Sequence, residues 1–213
     1  LSHLAASGQT GLIENDAFAG VDPFVLWGMV RHFRPRTIIE VGSGYSTLIA
    51  VNASSRNDET RLICIDPYRN DMLELGASGS VDLINSRVED VGMDVFRQLG
   101  PNDFLFVDSS HTVRPGGDVP FLCLEVLPRL SNGVIVHFHD IFFPRDYPRN
   151  WVVEQNLFWA EQYLLHAFLL FNSSFQVLFA SHYMGLKQKD ELRRAFPESR
   201  SWTGGSFWLR RLA

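Results

Sequence analysis

Residues 37–46 read Thr37-Ile38-Ile39-Glu40-Val41-Gly42-Ser43-Gly44-Tyr45-Ser46, and this stretch decides the fold. A short apolar run rich in β-branched side chains makes Thr37–Val41 a strand buried on both faces. Gly42-Ser43-Gly44 breaks it. Residues 45–54 then carry Leu48, Ile49 and Val51 at helical spacing, with Ser46 or Thr47 near the helix start. A strand that turns through glycine into a helix opens an α/β sheet.

The alternation continues on the C-terminal side. Arg61–Ile65 repeats the strand pattern and stops at Asp66-Pro67. Residues 81–84 form a weaker strand, residues 103–107 end at Asp108, and residues 133–138 end near His139-Asp140. Helical patterns lie between them at residues 72–75, 94–99 and 118–130, the last with Pro120 in its first turn. Residues 142–153 hold Pro144 and Pro148 among aromatics and read as a loop facing the substrate. Residues 154–170 read as one long helix, 175–180 as a sixth strand, 187–195 as an exposed charged helix and 205–212 as a last strand. Residues 1–36 read as an N-terminal extension with a helix over 23–33. The expectation is a single domain over residues 1–213.

Composition narrows the function. Lys+Arg 19 against Asp+Glu 24 leaves a net charge of −5, which argues against a nucleic-acid partner. With 46% hydrophobic and 20% charged residues the chain can bury a core. Cys64 and Cys123 lie far apart in apolar runs and read as small buried hydrophobes, with no disulfide and no zinc knuckle. No apolar stretch reaches the ~18 residues of a membrane span. Residues 157–171 come closest, but Glu161, Gln162 and His166 interrupt them. No basic-then-apolar leader is visible, so the chain reads as cytoplasmic.

In an open parallel sheet, ligands bind at the carboxyl ends of the strands, near the point where strand order reverses. The residues there are Gly42-Ser43-Gly44, Asp66, 86–90, Asp108-Ser109-Ser110-His111 and His139-Asp140. A dinucleotide site needs Gly-x-Gly-x-x-Gly, but Thr47 occupies the last position, and no Gly-Lys-Ser/Thr loop occurs. Glu40, two residues before Gly42, suits a cationic or amine-bearing ligand better than a diphosphate. Asp66 either accepts both hydroxyls of a ribose or caps its own turn. Glu89 either accepts from an adenine amino group or is a solvated acid at a helix start.

These residues resemble the class I S-adenosylmethionine-dependent methyltransferases. Glu40-Val41-Gly42-Ser43-Gly44-Tyr45-Ser46 is similar to their first motif, with Ser46 where many members have glycine, and Cys64-Ile65-Asp66-Pro67 is similar to their second. Asp108-Ser109-Ser110-His111 and the later His139-Asp140 resemble a small-molecule and sugar O-methyltransferase subgroup. The resemblance implies a Rossmann-like doubly wound sheet of about seven strands, mostly parallel with the last antiparallel. It implies S-adenosylmethionine as cofactor, its methionine part on Gly42, Ser43, Gly44 and Ser46 with Glu40 nearby. Asp66 would hold the ribose and Glu89 the adenine, with Asp108 also at the cofactor.

Methyl transfer to a hydroxyl needs the acceptor about 3 Å from the methyl and its proton removed. A histidine can do this as general base, or a divalent cation can lower the acceptor's pKa. His111 is the catalytic candidate, with His139 an open alternative. Asp108, His139 and Asp140 are candidate ligands for Mg²⁺ or another divalent cation, though the imidazole favours a softer metal. Otherwise Asp108 binds its own loop and His139-Asp140 cap a turn. His137, deeper on the same strand face, reads as a core histidine.

Tyr147, Trp151, Arg145 and Arg149 either contact the acceptor or pin the loop to the following helix. Trp159, Phe158 and Phe168 read as core. Arg193-Arg194 and Arg210-Arg211 read as solvated faces. The expected partner is a small-molecule or saccharide acceptor, and a homodimer stays open. A catalytically silent cofactor-binding module is the alternative function; a nucleotide-dependent oxidoreductase, lacking its third glycine, is weakest.

Overall fold

The computed structural model describes residue 15 and residues 17–57, 59–68 and 79–212. Its helix α1 (Asp22–Phe33) leads into β1 (Thr37–Val41), α2 (Tyr45–Ser54), β2 (Arg61–Ile65) and β3 (Asp82–Ile84). A 3₁₀ turn (Val88–Asp90), α3 (Asp94–Arg97) and β4 (Phe104–Val107) follow. Next come α4 (Asp118–Phe121), β5 (Ile135–Phe138), α5 (Arg149–Val153) and α6 (Glu161–Leu169). The chain closes with β6 (Phe175–Ala180), α7 (Ser181–Lys187), α8 (Lys189–Ala195) and β7 (Phe207–Arg211).

The strands form one seven-stranded sheet in the order β3-β2-β1-β4-β5-β7-β6. β3, β2, β1, β4 and β5 pair in parallel, while β7 runs antiparallel to both β5 and β6. This is the doubly wound, mostly parallel sheet expected. Strand order reverses between β1 and β4, so Gly42 and Asp108 leave the sheet side by side.

Alternating side chains enter two cores. On one face Ile39, Ile63, Leu105, Val136 and Leu209 pack with Phe96, Leu122 and Leu165. On the other, Ile38, Leu62, Phe104, Phe106 and Trp208 pack under α1 and α2 through Val25, Val30 and Ile49. Burial on both faces explains why β1, β4 and β5 are nearly continuous apolar runs. Cys64 and Cys123 are free and buried, as expected. Among the described residues no helix is long and apolar enough to cross a membrane.

Several local expectations need correction. Of the long helix expected over residues 154–170 only α6 forms, and the short α5 lies before it, inside the expected loop. Asn156 adopts a left-handed φ of 57°, and the Leu157 amide turns back to the Trp151 carbonyl, so the chain leaves α5 before α6 begins. The loop over 142–153 therefore ends in helix. Residues 118–130 are helical in three geometries: α4, a π segment (Leu122–Val126) and a 3₁₀ turn (Leu127–Arg129). Pro128 has no N–H to continue a regular ladder there. α7 was not foreseen, and α8 starts two residues later than expected. The helix expected at 72–75 lies outside the described residues.

Candidate active site

The fold gathers the strand ends along one rim. Gly42 must be glycine: its φ is +99°, and a Cβ there would stand 2.1 Å from the Asp108 carbonyl oxygen. The Gly42 amide donates to the Ile65 carbonyl and the Asp108 amide to the Val41 carbonyl, tying three strand ends together. Gly44 is different, since a Cβ there meets nothing within 4 Å. Its open side is where another molecule can approach the main chain.

Beside this loop lies a cavity of about 390 Å³ lined by Gly42, Ser43, Asp66, Glu89, Asp108 and Ser109, among others. Asp66 is buried and engaged: the Ser43 hydroxyl donates to one carboxylate oxygen at 2.5 Å and the Tyr68 amide to the other at 2.9 Å. Glu89 pairs with Arg87 at 2.6 Å. Glu40 is not among the lining residues. Its buried carboxyl accepts from Ser46 at 2.5 Å and faces the Cys64 thiol at 3.5 Å. Burial pushes it up to about 7, against the opposing hydrogen bonds of Ser46, Thr47 and Cys64.

A second cavity, of about 530 Å³, opens on the far side of Asp108, where His111, His139, Asp140, Trp151 and Trp159 are among the lining residues. Asp108 lines this cavity, the first one and a smaller pocket containing Gly44 and Ser46. Asp108 therefore sits where the spaces meet.

His111 is 5% exposed, with Nε2 3.3 Å from Asp108 and 3.8 Å from Asp140, and Nδ1 2.8 Å from Glu161. Burial opposes its charge, but hydrogen bonds to Asp108 and Glu161 win and push its pKa up to about 10. His139 places Nδ1 3.7 Å from Asp108 and 3.6 Å from Asp140, and Nε2 3.5 Å from buried Asp22. Burial opposes charge here too, yet the carboxylates of Asp108 and Asp140 hold its pKa well above the usual imidazole range. Asp108 is held down at about 2: burial would raise it, and the charge of His139 with the bond from His111 outweighs that. His137 is a core histidine, as read: it stacks on Phe106 at 3.8 Å and meets the Ser206 hydroxyl at 2.9 Å. Burial drives its pKa well down.

Asp108, His139 and Asp140 each offer one ligand atom, all within 4.8 Å of one another. Two carboxylate oxygens and one imidazole nitrogen fit a divalent cation. Asp22 behind Nε2 supplies the carboxylate that commonly backs a ligating histidine. The nitrogen donor tilts the preference from Mg²⁺ toward softer ions.

The sequence reading misses some of this site. Trp159 is not core: it lines the second cavity and lies 4.2 Å from the His111 ring. Phe158 is not core either, being 72% exposed. Phe168 does pack against the core, on Phe175. Arg145 and Arg149 are not among the residues lining the second cavity. Tyr147 pins the loop, its hydroxyl oxygen accepting from the Gln162 amide at 3.1 Å, whereas Trp151 faces the cavity. Glu161, Asp22, Ala17 and Gly20 were not foreseen at all. An acid inside an apolar helix is a signal that could have flagged Glu161, because a buried charge needs a partner.

Comparison with known proteins adds to this geometry. The profile of a methyltransferase domain matches residues 39–141. An uncharacterized protein of Archaeoglobus fulgidus is 34% identical over 92 residues, a match spanning 41% of this chain and 42% of that protein. This chain thus spans less than half the length of that curated relative. Among solved structures, the O-methyltransferase TomG of Streptomyces achromogenes, in complex with SAM, superposes with a TM-score of 0.58 at 17% identity, over 100% of this chain and 89% of that one. An O-methyltransferase of Bacillus cereus in complex with SAH gives 0.56 at 13% identity, over 100% and 89%. Residues 39–141 thus match the profile of a methyltransferase domain, and the chain takes the fold of these two O-methyltransferases.

Proposed function

We propose that this protein transfers a methyl group from S-adenosylmethionine to a hydroxyl of a small-molecule acceptor. The observation that carries the reading is the position of Asp108, in the common wall of the two cavities. One cavity adjoins the glycine loop and suits the cofactor; the other is lined by histidines and indoles and suits the acceptor. SAM and SAH in the two superposed structures support the cofactor assignment.

In this reading the Gly42–Ser46 loop faces the methionine part, with open Gly44 letting it approach the main chain. Asp66 holds the ribose, whose hydroxyls replace the Ser43 hydroxyl as donors. Glu89 accepts from the adenine amino group. Glu40 acts from behind, holding Ser46 in place. Trp151 and Trp159, whose rings lie 5.2 Å apart edge to face, present an apolar wall that suits a sugar or phenolic ring.

His111 presents Nε2 to the acceptor oxygen. Asp108 and Glu161 favour the protonated imidazole, and the ring is free to accept the acceptor's proton once that negative charge is offset. A divalent cation held by Asp108, His139 and Asp140 would supply that offset and lower the acceptor's pKa. The acceptor proton goes to His111 Nε2 as the oxygen attacks the methyl in line, the sulfur–methyl bond breaks and S-adenosylhomocysteine leaves.

Calorimetry with S-adenosylhomocysteine tests the cofactor assignment. Binding at micromolar concentration is expected, and Asp66→Ala weakens it more than tenfold. No binding up to millimolar concentration overturns the reading.

A further inference from the structure

We propose that Glu161 is the positioning residue for His111, accepting its Nδ1–H so that Nε2 faces the acceptor cavity. The proposal rests on the reading of His111 as the residue that meets the acceptor oxygen.

Side chain and main chain agree. Glu161 is 0% exposed, and its Oε2 lies 2.8 Å from His111 Nδ1. The His111 carbonyl accepts from the Ala160 and Glu161 amides at 2.9 and 3.1 Å, the amides that open α6. His111 thus caps the helix that carries its own partner. Its φ of +55° is left-handed, which a residue with a Cβ rarely adopts unless its surroundings demand it. The Trp159 ring, two residues before Glu161, covers one side of the imidazole at 4.2 Å. With Nδ1, one side of the ring and the carbonyl all held by the start of α6, Nε2 is left facing Asp108 and Asp140.

A purely structural role leaves the acid unexplained. A fully buried carboxyl in a helix whose Leu165 packs into the apolar core costs more than an apolar residue of similar size. What Glu161 supplies is an acceptor oxygen for one ring nitrogen, which fixes the ring orientation. This is how Glu161 acts on the reaction through His111 without touching either substrate.

The test is the ring ¹⁵N–¹H spectrum of the full chain, with the His111 signals assigned by His111→Asn. The wild type is expected to show a His111 Nδ1–H resonance protected from solvent exchange. Glu161→Leu is expected to lose it. Glu161→Gln, whose amide oxygen still accepts, is expected to keep it. The His137 ring signals stay unchanged in both variants, and S-adenosylhomocysteine affinity stays within threefold of wild type. A protected Nδ1–H that persists in Glu161→Leu overturns the proposal, even if the variant melts at lower temperature. If Glu161→Leu does not fold, the wild type still decides: a His111 Nδ1 without a protected proton overturns it. Failure of the methyl-transfer reading is separate, since it shows as wild type with no affinity for S-adenosylhomocysteine.

Discussion

Gly42 and Asp108, which leave adjacent parallel strands, touch main chain to main chain, so closely that a Cβ on Gly42 would stand 2.1 Å from the Asp108 carbonyl oxygen. The turn that shapes the cofactor side and the acid shared with the acceptor side are thus one mechanical unit. Movement of either displaces the other.

Gly42→Ala therefore has to push Asp108 away while adopting a strained positive φ. A loss of about 2 kcal/mol or more is expected in urea denaturation, with at least tenfold weaker S-adenosylhomocysteine binding. Gly44→Ala meets no atom within 4 Å and should leave the urea midpoint nearly unchanged. Its effect is confined to cofactor affinity. Equal unfolding of both variants would contradict the assignment.

Glu40 links stability to pH. Its carboxyl is pushed up to about 7 in the fold, from 4.5 ordinarily. Between those values the folded chain binds more protons than the unfolded one, so this group's contribution to stability falls as pH rises from about 4.5 to 7 and stays low above that. The penalty at pH 8 is on the order of 3 kcal/mol. Glu40→Gln keeps an acceptor for Ser46 and removes the penalty. Relative to wild type it should gain stability at pH 8 and show much less gain at pH 5, measured by chemical denaturation at both values.

Asp140 lines the second cavity and is not among the residues lining the cofactor cavity, whereas Asp108 lines both. Asp140→Asn is expected to weaken Mn²⁺ binding more than tenfold in calorimetry and to leave S-adenosylhomocysteine affinity within threefold. Asp108→Asn should reduce both. Cation affinity indifferent to both substitutions would remove Asp108, His139 and Asp140 as a ligand set.

Among the described residues Trp208 is the largest fully buried side chain, and it packs on Phe104, Phe106 and His137. Trp208→Ala should cost about 3–5 kcal/mol. Its indole N–H has no hydrogen-bond partner among the described residues, so Trp208→Phe gives up no bond. That variant should stay within about 1.5 kcal/mol of wild type in thermal or urea unfolding.

Much of the fold is legible because it is written in local pattern. Strands β1, β2, β4 and β5 are largely apolar runs closed by Gly42, Asp66, Asp108 and the His139-Asp140 pair, and both signals act within a few residues. The acids and histidines directly after those strands fall on one rim for the same reason: parallel strands end on the same side. His137 is legible as core because strand side chains alternate with period two. The late start of the helix expected over residues 154–170 is not legible, because its apolar spacing is compatible with a longer helix, and only the left-handed turn at Asn156 keeps the chain out of helix until Glu161.

The sequence by itself determined the parallel α/β sheet, its glycine turn and the row of Asp66, Asp108, His111, His139 and Asp140 at the strand ends, since each depends on neighbours in the chain. Only the tertiary structure decided which distant residues complete the site. Glu161 reaches His111 across 50 residues of sequence, and Asp22 reaches Gly205 across 183. Such pairs are chosen by how helices pack against the sheet, and that packing depends on the shape of the whole core.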